Sequence, residues 1–87
     1  MSGREVTKAE IFSVIRGHIL DILTKLAPED VRSDVSMRTL GANSIDRAEV
    51  VVKSMADLAL KIPLIEFGNV SSIGELVDVF YEKMQVK

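Results

Sequence analysis

Leu40-Gly41-Ala42-Asn43-Ser44-Ile45 sets a hydroxyl where a glycine-containing loop gives way to a helix with Asp46 and Glu49 near its start. A serine that attacks a substrate on its own account needs a base to take its proton and donors to receive an oxyanion. Ser44 has neither in its sequence surroundings. The glycines of a nucleophile elbow would flank it two residues away on each side, where the chain has Ala42 and Asp46. The sole histidine, His18, falls between apolar positions of a different segment and reads as an ordinary packed or half-exposed side chain with no evident partner. What the setting does favour is an anion attached to the hydroxyl, because a helix N-terminus offers free backbone donors and a positive dipole end. Ser44 is therefore either a helix cap or a serine that another enzyme modifies, and Gly41, Asn43, Asp46 and Glu49 around it favour the second.

The remaining residues must hold that hydroxyl in place. A chain of 87 residues is expected to form one small domain, burying about 60–65% of its unfolded surface, with no room for a substrate pocket and a catalytic apparatus together. Hydrophobic residues make up 47% and charged residues 28%, the balance of a globular chain. The net charge of −2 gives no basis for nucleic-acid binding and suits a basic partner instead. Cysteine is absent, so neither disulfides nor a thiolate zinc site can hold the fold. Residues 1–7 contain no apolar run of the secretory or membrane-anchor kind, and the expectation is a cytoplasmic monomer with residues 1–6 as a flexible N-terminus. Glu29, Asp30 and Asp34 have no calcium-loop spacing and read as a solvated loop, with no metal site.

Thr7-Lys8-Ala9-Glu10 has the form of a capping box, and Ile11, Ile15, Ile19, Ile22, Leu23 and Leu26 behind it recur at helical spacing, predicting a first helix to about Lys25. Pro28 stops it. A long connection over residues 30–43 follows, pinned to the core by Val31, Val35, Met37 and Leu40; ordered loops of this length are usually functional. The second helix is expected from Asn43 or Ser44 to about Leu58–Leu60, ahead of Ile62-Pro63. A short helix fits within residues 64–70. Ser72-Ile73-Gly74-Glu75 is a second capping box, and Ile73, Leu76, Val77, Phe80 and Met84 trace the apolar face of a last helix. No segment alternates with a period of two, so the fold class is all-α.

Leu40-Gly41-Ala42-Asn43-Ser44-Ile45-Asp46 resembles the Leu-Gly-Ala-Asp-Ser-Leu-Asp signature of the acyl carrier proteins. The distance from Ser44 to Ile62-Pro63 matches that family without a gap, and the run from Val70 through Asp78 resembles the opening of its last helix. The resemblance implies a bundle of three main helices plus one short helix. It also implies 4′-phosphopantetheine, derived from coenzyme A, on Ser44, joined there by a phosphopantetheinyl transferase. Such a protein carries acyl groups as thioesters and catalyses nothing itself. Asn43 departs from the usual aspartate, keeping a capping oxygen but removing a negative charge from the transferase contact.

Periodicity alone buries Ile45, Ala48, Val52 and Met55 of the second helix, with Val51 and Leu58 extending the stripe. The resemblance turns Ile45, Ala48 and Val52 outward as an apolar strip for partner enzymes and Val50, Val51 and Leu58 inward. On that reading Asn43, Asp46 and Glu49 join the strip as recognition residues. Glu49-Lys53 and Lys53-Asp57 are spaced for ion pairs worth about 0.2–0.5 kcal/mol each. The phrases Asn43 to Glu49 and Leu60 to Leu64 are most similar to free-standing donor carriers of polyketide β-branching cassettes. For those the resemblance implies malonyl or acetyl cargo and, as partners, an acyltransferase, a decarboxylating ketosynthase-like protein and a 3-hydroxy-3-methylglutaryl (HMG)-synthase-like enzyme. A general fatty-acid or peptidyl carrier, or an unmodified helical adaptor in which Ser44 only caps, are the alternatives.

Overall fold

The computed structural model describes residues 6–85. Its elements are α1 (Lys8–Ile22), a 3₁₀ turn (Pro28–Asp30), α2 (Ser44–Asp57), a second 3₁₀ turn (Leu64–Phe67) and α3 (Ile73–Gln85), with no strand among the described residues. This is the all-α bundle of three main helices, and the short helix expected within 64–70 is the second 3₁₀ turn. Of the N-terminal stretch expected to be flexible, residues 1–5 lie outside the described residues, whereas Val6 packs half-buried against the core.

The first capping box forms as its residues require. Thr7 Oγ1 accepts the Glu10 N–H at 3.1 Å and Glu10 Oε1 accepts the Thr7 N–H at 2.9 Å. Ile11, Ile15 and Ile19 are fully buried and make α1 the central helix, which packs against both α2 and α3. The helix ends at Ile22 rather than near Lys25 because Leu23 leaves helical geometry (φ −103°, ψ 78°), and the Leu26 N–H turns back to the Leu23 carbonyl at 3.1 Å. That turn folds Leu23 and Leu26 onto the core and delivers Ala27 in the extended conformation that a following proline demands.

At its other end α2 stops at Asp57, short of the expected Leu58–Leu60. The Leu60 N–H reaches the Met55 carbonyl at 2.8 Å and the Ala59 N–H reaches Ala56 at 3.2 Å, the paired bonds of a Schellman motif. The left-handed position of that motif, usually glycine, is occupied by Ala59 (φ 56°). Ala59→Gly is therefore expected to stabilise the protein by about 0.5–1 kcal/mol by removing the Cβ clash of a left-handed residue, measured as a higher urea midpoint.

The long loop before α2 is stitched to the start of α3. The Ile73 N–H donates to Val35 O at 2.8 Å and the Gly74 N–H to Ser33 O at 2.9 Å. A Cβ on Gly74 would stand 3.1 Å from that same Ser33 oxygen, so the close approach favours glycine. Val31 is buried and Val35, Met37 and Leu40 are half-buried against the core, as their pattern predicts. Edge-to-face packing of Phe67 on Phe80, with centroids 5.4 Å apart, ties the second 3₁₀ turn to α3.

The second capping box differs from its expected form. Ser72 Oγ accepts the Glu75 N–H at 3.1 Å, but the Glu75 carboxylate reaches one residue further back, accepting from Ser71 N at 2.8 Å and Ser71 Oγ at 3.0 Å. Chiefly the Ser71 backbone donor, then its hydroxyl, hold the Glu75 carboxyl below its ordinary value of 4.5. A carboxylate depressed on folding adds stability that is fully present above that ordinary value and lost as the pH falls through the lowered one. Carboxyl NMR titration is expected to give Glu75 a midpoint below 4.5, with the Ser71 amide shifting in step.

Candidate functional site

The turn ahead of α2 aims the serine. The N–H groups of Leu40 and Ala42 both return to Met37 O, at 3.1 and 3.0 Å, and Gly41 takes φ 103°, which L side chains rarely adopt. This reversal buries Ala42 and leaves Asn43 extended at the cap of α2. Asn43 Oδ1 accepts the Asp46 N–H at 2.8 Å, and Asp46 Oδ2 accepts the Asn43 N–H at 3.2 Å. The cap is thus Asn43, and the capping role open to Ser44 on sequence grounds is already filled.

Ser44 is the first residue of α2, exposed, and its hydroxyl makes no hydrogen bond among the described residues. Among the described residues no base is hydrogen-bonded to it to generate an alkoxide. Its own N–H and that of Ile45 stand at the positive end of the α2 dipole, so a phosphodiester on the hydroxyl would be accommodated by charge and by donors. An accessible, unengaged hydroxyl at this position fits a tethered phosphate group and does not fit a self-activated nucleophile.

The face of α2 around Ser44 resolves the two readings of its stripe. Ile45 is 75% exposed and Val52 49%, with Ala48 also exposed, whereas Val50 and Val51 are 1% and 5% exposed and Leu58 is half-buried. Burial of Ile45, Ala48 and Val52, the outcome of periodicity alone, is overturned. Three successive valines leave the wheel ambiguous, and the inner face also holds the fully buried Ser54, a polar residue that an apolar stripe does not reveal. Asp46 is half-buried through its cap bond, and Glu49 is exposed and paired with Lys53 at 3.0 Å.

The second expected pair, Lys53 with Asp57, is absent. Asp57, the last residue of α2, turns instead to His18 of α1, whose Nε2 lies 2.6 Å from Asp57 Oδ2. Sequence reasoning found no partner for His18 because the two residues are far apart in the chain. It also missed Arg47, whose Nη1 donates to Ala42 O at 2.9 Å and braces the turn ahead of the serine. A usable signal was present for the cap, since Asn43-x-x-Asp46 has capping-box spacing. Among the described residues no three His, Cys, Asp or Glu side chains gather as a metal site, and no helix is long and apolar enough to cross a membrane.

The family model for the phosphopantetheine attachment site matches residues 13–80, spanning most of α1, the serine turn, α2 and the first part of α3. The chain belongs to this family of acyl carrier proteins. The carrier is 41% identical over 78 residues to the polyketide biosynthesis acyl-carrier-protein AcpK of Bacillus subtilis (strain 168), covering 90% of this chain and 95% of that protein. It also superposes, with a TM-score of 0.82 and 32% identity, on a chain in the crystal structure of the curacin biosynthetic pathway HMG synthase in complex with acetyl donor-ACP, covering 88% of this chain and 99% of that one. The protein is therefore a non-catalytic carrier whose prosthetic group is 4′-phosphopantetheine, and a phosphopantetheinyl transferase is among its enzyme partners.

Proposed function

We propose that Ser44 Oγ is the attachment point of the arm and that the carrier delivers an acetyl unit to an HMG-synthase-like enzyme of polyketide β-branching. The observation that carries the first half is the exposed Ser44 hydroxyl at the first position of α2, relieved of capping by Asn43. The transferase supplies the base that this chain lacks; the serine oxygen forms the phosphodiester as the nucleotide half of coenzyme A departs. Once attached, the arm supplies a terminal thiol that bears acyl groups as thioesters. The chain's own residues then hold the tether at the protein surface, where a linker raises the local concentration of cargo at whichever enzyme is docked.

Similarity to AcpK and to the chain in the HMG synthase complex supports the second half. The exposed apolar strip Ile45, Ala48 and Val52, beside Asn43, Asp46 and Glu49, has the make-up of a small interface core with a polar rim. The upstream partners in this reading are an acyltransferase and a decarboxylating ketosynthase-like protein, and the setting is the cytoplasm, where coenzyme A is available. The test is reconstitution. After incubation with coenzyme A, magnesium and a broad-specificity transferase, the intact mass is expected to rise by one phosphopantetheine. The acetyl-loaded form is then expected to support product formation by an HMG-synthase homologue acting on a β-ketoacyl carrier. Mass gain without acetyl transfer, alongside efficient service to a fatty-acid or peptide synthase, would overturn the β-branching assignment.

A further inference from the structure

A cavity of about 310 Å³ opens between the loop before α2 and the start of α3, its polar side formed by Ser36, Arg38, Arg47, Ser71 and Ser72. Among the described residues no acidic side chain lines it, and the Glu75 carboxylate, bonded to Ser71 of the wall, is engaged by the Ser71 N–H and hydroxyl. Lys8, Arg32, Lys53 and Lys83 each meet a carboxylate, of Asp78, Asp34, Glu49 and Glu66 respectively, whereas Arg38 and Arg47, in common with Arg16, Lys25 and Lys61 elsewhere on the surface, meet none among the described residues. Arg47 is half-buried and held by one bond to Ala42 O, which leaves the rest of its guanidinium donors unused. The first amides of α3 are already taken by Val35 and Ser33, so the positive character of the cavity comes from the arginines and not from the helix end. Two unpaired guanidinium groups on one concave wall are suited to a carboxylate, which their planar forks can bind in bidentate fashion.

The position of the cavity indicates where such a carboxylate would come from. Arg47 follows Ser44 by one helical turn, about 5–6 Å between Cβ atoms, yet Ser44 is not part of the cavity wall. Because Ser44 is outside the wall, a group that enters the cavity from it has to be carried on a tether that folds back. Met37, Arg47 and Val70 are shared with a narrower, apolar cleft of about 190 Å³ reaching Val51, Phe67 and Leu76. Arg47 thus stands at the boundary between a wall that suits an anion and one that suits a neutral chain.

Resting on the reading that Ser44 bears the arm, we propose that Arg38 and Arg47 form a site for the free carboxylate of a dicarboxylic, malonyl-type acyl group carried by this protein. When a decarboxylating partner breaks the bond between that carboxylate and the α-carbon, the carboxylate leaves as carbon dioxide and the α-carbon takes up a proton, so the acetyl unit left behind has no anchor and is free to be handed on. The site distinguishes the two acyl states of one carrier by charge.

The test uses isotopically labelled full-length protein loaded through the transferase with hydrolysis-resistant amide analogues of malonyl- and acetyl-phosphopantetheine, together with the unacylated holo form. Intact mass comes first, and failure of Ser44 to accept the arm would overturn the underlying reading and this inference with it. Given loading, amide and arginine side-chain NMR spectra are expected to differ between the malonyl and acetyl forms at Arg38, Arg47, Ser71, Ser72 and Ile73. Those differences are expected to disappear in Arg38→Gln and in the Arg38→Gln/Arg47→Gln double variant. Identical malonyl and acetyl spectra in the parent, the same shifts already present in the holo form, or malonyl-specific shifts that survive in Arg38→Gln would each overturn the site while leaving the carrier assignment intact.

Discussion

Ser44→Ala is expected to abolish phosphopantetheine attachment completely while leaving the fold and its stability essentially unchanged. The hydroxyl is exposed and makes no hydrogen bond among the described residues, so its removal breaks no contact. Alanine is a good residue for the first turn of a helix, and surface substitutions of this kind fall within about 0.5 kcal/mol. The capping function belongs to Asn43, whose Oδ1 holds the Asp46 N–H at 2.8 Å. Asn43→Ala is accordingly the variant that destabilises, by about 1 kcal/mol. For a domain of this size that corresponds to a drop of about 4–8 °C in Tm. Intact mass after transferase treatment, paired with thermal unfolding, separates the two residues: no mass gain with parental Tm for Ser44→Ala, and a lowered Tm with the serine still present for Asn43→Ala. If Ser44→Ala still gained the arm, the attachment residue would have to be another hydroxyl.

Phe80→Ala is expected to be the most damaging single change to the fold. Phe80 is fully buried among the inward residues of α3, and it is also the ring against which Phe67 packs. Truncating a buried phenylalanine costs about 3–5 kcal/mol, a large share of the roughly 5–15 kcal/mol that holds a domain together. The consequence reaches the site through packing. Phe67 belongs to the 3₁₀ turn after α2, and with its partner ring gone that turn loses its aromatic contact with α3 and keeps the Lys83–Glu66 ion pair at 3.2 Å. Urea unfolding is expected to show a substantially lower midpoint, and a parental midpoint would mean that the ring is not part of the core.

Much of this architecture is legible in local patterns. Ile11, Ile15 and Ile19 on one side, and Ile73, Leu76, Val77 and Phe80 on the other, recur at helical spacing and are buried where that spacing puts them. The Thr7-Glu10 box and the Ser72 cap lie within four residues of their partners, so their bonding is a local matter. The ends of α1 and α2 were less legible. Ile22, Leu23 and Leu26 continue the apolar rhythm beyond the helix because a turn can bury them as well as a helix can, and Ala59 gives no sign of a left-handed cap because that position normally shows itself as glycine.

The same division applies to the site. From the sequence alone came the hydroxyl at a loop-to-helix junction without a base, the all-α class, and, through the Leu40 to Asp46 signature, the carrier family that residues 13–80 match. These depend on residues close together in the chain, whose geometry is set by short-range sterics and hydrogen bonding. Tertiary structure decided which face of α2 is exposed, because Val50, Val51 and Val52 satisfy two orientations of the wheel and only the packing of α1 chooses between them. It also decided that His18 meets Asp57, that the loop before α2 is fastened to α3 through Val35 and Ser33, and that Arg38 and Arg47 share one cavity wall. Each of those depends on residues distant in sequence, and their meeting is set by how three helices fill one core rather than by any local preference of the chain.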